Sequence, residues 1–212
     1  MADSLTREQQ QAEMFQAIGQ AITGFAAIEL WLCNHFALVT QMPPHMAKAV
    51  FFSARSLQGR LEMFYDAIAA AGTADGFPSL TPFLKVAANR AGQWAGTRNM
   101  LAHANVGYVD WADSKFHQQH ILWDGGANDW PDPKKGLTLS DLANATLNFG
   151  RLSALLLVSY NRESGPNEPT LKECHALVLQ LPTQPTQPEQ RKQFLKRLSQ
   201  LIPDGDYQAP LP

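Results

Sequence analysis

The chain has 212 residues, of which 45% are hydrophobic and 17% are charged, with a formal net charge of -2. This composition excludes an intrinsically disordered chain, and the length allows a core that needs neither disulfides nor metals to fold. The near-neutral charge gives no sign of a broadly basic nucleic-acid-binding surface, so we expect any contact with RNA to be made through a local cleft.

The two cysteines, Cys33 and Cys174, lie in apolar contexts without a CxxC spacing. We predict that both are reduced core residues of a cytoplasmic protein. The first residues lack a basic segment followed by an apolar one, and the longest strongly apolar run, 152–158, is far shorter than a membrane span. We therefore expect neither secretion nor membrane insertion.

Two long helical regions are predicted in the first third of the chain. The first begins at a capping box over residues 6–9 and continues to about Thr40, with apolar residues at helical spacing. Within its most apolar stretch, Glu29 is either a buried carboxylate or a solvated residue on the opposite face. After the break at Pro43-Pro44, a second helical region is predicted from about His45 to Ala71.

The middle of the chain predicts a third helix, a hairpin and a fourth helix. Thr81-Pro82 supplies an N-cap and a proline at the first helical position, and the helix continues through Leu101. After His103 the aromatic and β-branched residues predict a small β-hairpin at about 105–124. Thr138 opens a fourth helix with a capping box and an apolar face.

The last part of the chain differs in character. A short helix is predicted to about Leu181, and residues 182–188 form a proline-rich, stiff and extended linker. Residues 189–212 hold an amphipathic helix and a tail, and this helix packs on its own domain, on a twin subunit, or on membrane or RNA. The predicted fold class is all-α, an up-and-down four-helix bundle over 1–181 with a β-hairpin insertion and a C-terminal helical extension.

The segment from Arg98 to His103 concentrates polar groups at the end of the third predicted helix. At about 100° per residue, Asn99 and His103 share a face, whereas Arg98 and His103 diverge by roughly 140°. Arg98 and His103 can therefore meet at one point only if the helix kinks or ends there, or if a second chain contributes. We predict that Asn99 orients the ring of His103 through a hydrogen bond.

An Arg-Asn-x-x-x-His segment at a helix end in a four-helix core resembles the HEPN superfamily, whose motif is an Arg, four to six residues and then a His. Arg98, Asn99 and His103 match this motif, and the order of the helices extends the resemblance over roughly residues 5 to 162. The resemblance implies a HEPN-like bundle and a homodimer in which two motifs face each other across a cleft. In active members it implies a metal-independent endoribonuclease. We expect no cofactor, and no DNA or membrane partner.

The residue types suit that chemistry. His103 can exchange a proton with the ribose 2′-hydroxyl or the leaving 5′-oxygen, and Arg98 can stabilise charge on the phosphoryl oxygens. We assign Asn99 to catalytic support, Tyr108 and Trp94 to substrate contact, and Glu29 to structural support. The aromatic residues of the hairpin, Tyr108 among them, can instead pack it against the bundle.

Two alternatives to catalysis remain open. Arg98 can pair with Glu29 as a purely structural ion pair, or the cleft can belong to a non-catalytic nucleotide- or protein-binding module of a mobile-element or defence locus. Many HEPN proteins are toxins or defence effectors with an antitoxin or regulatory partner. In that toxin branch a Tyr stands two residues after the motif His, where this chain has Asn105. A metal site is not predicted, because His117 and His120 point to opposite faces of a strand.

Overall fold

The computed structural model describes residues 6–71, 80–110, 119–123, 136–160, 168–187 and 191–201. Within these ranges the chain forms helices and one small antiparallel sheet, which confirms an all-α protein with a β-hairpin. The helices are α1 (Arg7–Thr40), α2 (Pro44–Ser53), α3 (Leu57–Ala71), α4 (Leu80–Gln93), α5 (Ala95–His103), α6 (Leu139–Ser159), α7 (Glu168–Gln180) and α8 (Arg191–Leu201). The strands are β1 (Asn105–Val109) and β2 (Gln119–Trp123).

The long helix α1 organises the bundle. It begins at the predicted capping box, in which Thr6 and Gln9 each accept a hydrogen bond from the other's backbone N–H. It packs along α6, while α2, α3, α5 and β2 also contact it and α4 packs against α3 and α7. A Cβ on Gly24 would lie 3.3 Å from the Cβ of Phe149, so a larger residue there would force α1 and α6 apart.

Both long helices predicted over 45–71 and 81–101 are interrupted, and their predicted continuity is therefore wrong. Residues 54–56 separate α2 from α3, because the hydroxyl of Ser56 accepts the N–H of Gly59 and caps α3. Trp94 separates α4 from α5, and its amide N–H is shared between two carbonyls of the preceding turn. The start of α6 follows the prediction, with a capping box between Thr138 and Asp141.

The hairpin pairs β1 with β2 in antiparallel register, with Tyr108 opposite His120. It lies within the predicted range of 105–124, and β2 forms a further bridge to Leu137. Residues 111–118, the predicted turn with His117, lie outside the described residues. The strand β1 follows α5 after Ala104 alone, so that the hairpin extends directly from the motif helix.

Residues 181–187, most of the predicted linker, lie against the bundle and are held there by side chains that donate to backbone carbonyls. The bonds run from Arg90 to Leu181, from the indole of Trp94 to Pro182 at 3.1 Å, and from Asn148 to Pro185 at 2.7 Å and to Gln187 at 3.2 Å. Beyond this segment α8 packs on its own chain, where Phe194 and Leu198 are buried and Arg197 donates two hydrogen bonds to Glu173.

Replacing Asn148 by alanine removes both hydrogen bonds to this segment. We expect the free energy of unfolding to fall by about 1–3 kcal/mol, because the carbonyl of Pro185 loses its donor in a buried bond and that of Gln187 loses its donor in a part-buried one. Urea denaturation measures the change. Asn144→Ala on the same helix is the matched control and should cost no stability, since Asn144 is partly exposed and alanine favours a helix. An equal loss in both variants would contradict the role given to Asn148.

His35 is fully buried between α1 and α6. Its Nε2 lies 3.0 Å from the carbonyl oxygen of Leu156, and this nitrogen must carry the proton because a carbonyl only accepts. Burial lowers the pKa of His35 to about 4, and the hydrogen bond to Leu156 opposes this shift. The ring is therefore neutral in the folded protein at neutral pH.

The buried ring of His35 makes folding stability depend on pH. As the pH falls from 6.5 to about 4, the unfolded chain takes up a proton that the folded chain excludes. Stability should then decrease by about 3 kcal/mol in total, and this contribution is absent above pH 6.5. The measurement is urea denaturation of the wild type and His35→Gln across this range. The difference between the two proteins must change with pH; a constant difference would contradict the assignment.

By length and composition alone, α1 also meets the criteria for a membrane-spanning helix, as the core helix of a globular protein often does. In its most apolar window 44% of the residues are buried inside the fold. This is weak evidence in either direction.

Candidate functional site

The motif helix α5 is regular over its whole length and ends at His103. Ala104 follows with an extended backbone at φ -78° and ψ 162°, and its N–H still bonds the carbonyl of Met100. Arg98 and His103 therefore belong to one straight helix, where their side chains diverge by roughly 140°. The sequence allowed a kink of the helix at the motif. The helix is instead interrupted before the motif, at Trp94.

Arg98 lies at the outer edge of a charged cluster. Its Nε is 3.9 Å from Oε1 of Glu29, whereas Arg60 binds Oε2 of Glu29 in a much closer contact. The side chains of Arg60 and Glu29 are 14% and 10% exposed, but that of Arg98 is 36% exposed. Two guanidinium groups share one carboxylate, so the cluster keeps a net positive charge and Arg98 is the member that solvent reaches.

Glu29 is thus a buried carboxylate and not a solvated residue on the opposite face of its helix. It joins α1 to α3 through Arg60 and to α5 through Arg98. Sequence reasoning missed Arg60. A basic residue directly before Leu61, in the apolar stripe of its helix, was the available signal.

Asn99 and His103 are both exposed. Asn99 accepts a hydrogen bond of 3.4 Å from Nη1 of Arg98, and no hydrogen bond joins Asn99 to His103 in the described part of the chain. The ring of His103 has no hydrogen-bond or ion-pair partner among those residues. Asn99 therefore orients Arg98 in this structure, and both ring nitrogens of His103 are accessible to a ligand.

The two aromatic residues assigned to substrate contact have different environments. Trp94 is 0% exposed, packs against Phe149 and is tied to the 181–187 segment, so it belongs to the core and has no surface for a substrate. Tyr108 is half-buried; the guanidinium of Arg7 covers its ring at 4.0 Å and His120 packs edge-on. Since five strand residues span about 16 Å, Tyr108 also lies well away from His103.

A surface cleft lies elsewhere, around the C-terminal end of α1. Its lining includes Leu38, Gln41, Met42, Pro44 and Tyr160. At 1.5 Å per residue, Gln41 is about 18 Å along α1 from Glu29, so this cleft is separate from the motif. Among the described residues, those that line this cleft do not include Arg98, Asn99 or His103.

Comparison of the chain with protein-family models, with curated proteins and with solved structures gives no match. The geometry of Arg98, Asn99 and His103 is therefore the basis of the functional proposal.

Proposed function

We propose that the chain is a HEPN-like, metal-independent endoribonuclease of the cytoplasm that cleaves RNA in a groove shared by two copies. The observation that carries the proposal is the exposed ring of His103, which has no hydrogen-bond or ion-pair partner in the described part of the chain, on the same helix as the partly exposed guanidinium of Arg98. In this proposal α1, α2 with α3, α4 with α5, and α6 correspond to the four helices of a HEPN bundle.

The divergence of Arg98 and His103 supports the shared groove. A single straight helix cannot direct both side chains at one phosphate. In the proposed dimer Arg98 of one copy and the partner's His103 approach the same phosphate, and symmetry creates a second, equivalent site. Asn99 holds the guanidinium of Arg98 in place.

The reaction requires no cofactor. His103 takes the proton of the ribose 2′-hydroxyl, and the 2′-oxygen attacks the adjacent phosphorus. The bond from phosphorus to the 5′-oxygen breaks, and this oxygen takes a proton from water. Arg98 stabilises the negative charge that accumulates on the phosphoryl oxygens. The products are a 2′,3′-cyclic phosphate and a 5′-hydroxyl.

The test uses a single-stranded RNA and a DNA of the same sequence, each incubated with the purified protein in excess EDTA. We expect cleavage of the RNA alone, with cyclic phosphate at the new 3′ ends. The proposal would be contradicted if the protein cleaved the DNA as well as the RNA, if it cleaved RNA only without EDTA, or if it left the RNA intact in both conditions.

A second candidate function is non-catalytic binding of RNA or of a nucleotide. It is favoured by the pairing of Asn99 with Arg98, because no other described side chain then fixes the ring of His103. In that case the protein binds RNA and leaves it intact, and Arg98→Ala weakens the binding. In the catalytic case a toxin or defence effector would also require an antitoxin or regulatory partner.

A further inference from the structure

The helix α1 carries an exposed face without charges. Between Ala12 and Leu30 none of the exposed residues is Asp, Glu, Lys or Arg. We call the central part of this surface the α1 face, and its residues are Phe15, Gly19, Ile22, Thr23, Ala26 and Leu30. They recur every three or four residues and therefore form one stripe along the helix.

Large apolar side chains in this stripe are open to solvent. Phe15, Ile22 and Leu30 are 55%, 40% and 44% exposed. A solvated helix face normally carries charged residues, and a contiguous apolar stripe marks a contact surface. A Cβ on Gly19 would meet no atom within 4 Å, which leaves room for another backbone to approach closely.

On both sides of its central pair, Ile22 and Thr23, the α1 face has the same order of residue sizes. Counted outward from the midpoint between Ile22 and Thr23, a small residue comes next on each side, Gly19 or Ala26. A large one, Phe15 or Leu30, ends the stripe at equal distance. A surface of this symmetry is complementary to itself, as a two-fold interface between identical chains requires.

We propose that a second copy of this chain covers the α1 face, with the two α1 helices antiparallel about a two-fold axis between Ile22 and Thr23. Phe15 then packs on the partner's Leu30, and Gly19 on the partner's Ala26, so that small residues let the backbones approach at the centre. Helices that lie on a membrane surface carry Lys and Arg beside their apolar face, and this face has none.

The area of the α1 face indicates what else the interface includes. The stripe is about 22 Å long and roughly 10 Å wide, close to 220 Å². A stable dimer needs about 800 Å² from each partner, so the contact must extend to a neighbouring element. Glu29 borders the face on one flank and contacts Arg98, which makes α5 such an element.

The proposed two-fold axis also determines where the Arg98–His103 segments of the two copies lie relative to each other. Arg98 contacts Glu29 and Tyr108 contacts Arg7, so the backbone of α5 and β1 runs along α1 toward its N-terminus. A two-fold axis perpendicular to both helices keeps both α5 helices on the same side of the pair. A shared groove is the consequence. The groove rests on the proposed function, whereas the interface rests on the α1 face alone.

Gly19→Glu tests the interface by sedimentation equilibrium. A glutamate here meets no atom of its own chain and favours the helix, but the dimer would bury two unpaired charges. We expect a dimeric wild type and a dissociation constant at least about 100-fold higher in the variant. Gly150→Glu, at a helical glycine of α6 that is equally free, should dimerise as the wild type does.

Ile22→Cys tests the position of the axis. The two native cysteines are buried, so the new thiol is the reactive one, and next to the axis it should join two copies under mild oxidation. Asp66→Cys, exposed on α3, should stay uncrosslinked.

A wild type that is monomeric at about 100 μM overturns the proposal, with or without binding to lipid vesicles. A dimer that Gly19→Glu does not weaken also overturns it. RNA cleavage is measured separately: an inactive dimer refutes the proposed function and keeps the interface, whereas an active monomer refutes the interface and the shared groove and keeps only the ribonuclease activity.

Discussion

Alanine at Arg60 should lower the free energy of unfolding by about 3–5 kcal/mol, whereas alanine at Arg98 should cost about 1 kcal/mol or less. The two arginines share the carboxylate of Glu29, but only Arg60 is buried with it in a close contact. Removing Arg60 leaves a buried charge with its remaining partner 3.9 Å away at the surface. Removing Arg98 leaves the close pair intact.

Urea denaturation of both variants measures this difference, with Arg55→Ala as the exposed control from the same region. The comparison separates the two roles considered for Arg98. If Arg98→Ala is as destabilising as Arg60→Ala, then Arg98 is chiefly a structural residue and its assignment to RNA loses its support.

Alanine at His103 should lower kcat/KM for RNA cleavage by about 10²–10⁴-fold, the usual contribution of a general base or acid. The melting temperature should stay within about 1 °C of the wild type, because the ring is exposed and makes no hydrogen bond or ion pair with a described residue. His45→Ala is the matched control, since His45 is also exposed and lies on α2. Unchanged cleavage by His103→Ala would remove the ring from the mechanism.

Local signals in the sequence predicted much of the fold. The capping boxes at Thr6 and Thr138 mark the starts of α1 and α6, because a cap is satisfied within four residues. The hairpin follows from a change of period after His103, which is also local. The motif stands at a helix end as predicted, and its exposure agrees with its polar composition.

Features that depend on distant residues were missed. The helix break at Trp94 occurs where its indole donates a hydrogen bond to Pro182, a residue far away in the sequence. No local sequence pattern predicts this break. The Glu29–Arg60 contact joins α1 to α3, and the 181–187 segment is held by side chains of α4 and α6. The α1 face was read as part of an apolar helix, because periodicity does not say which apolar residues a single chain leaves exposed.

The central claim is that Arg98 and the partner's His103 act on one phosphate, and a mixing experiment tests it most directly. Arg98→Ala and His103→Ala are each inactive under this claim, but a mixed dimer contains one complete site. After subunit exchange, an equal mixture should recover about a quarter of the wild-type RNA cleavage, because half of the dimers are mixed and each has one of two sites. A mixture as inactive as either variant alone would contradict the claim.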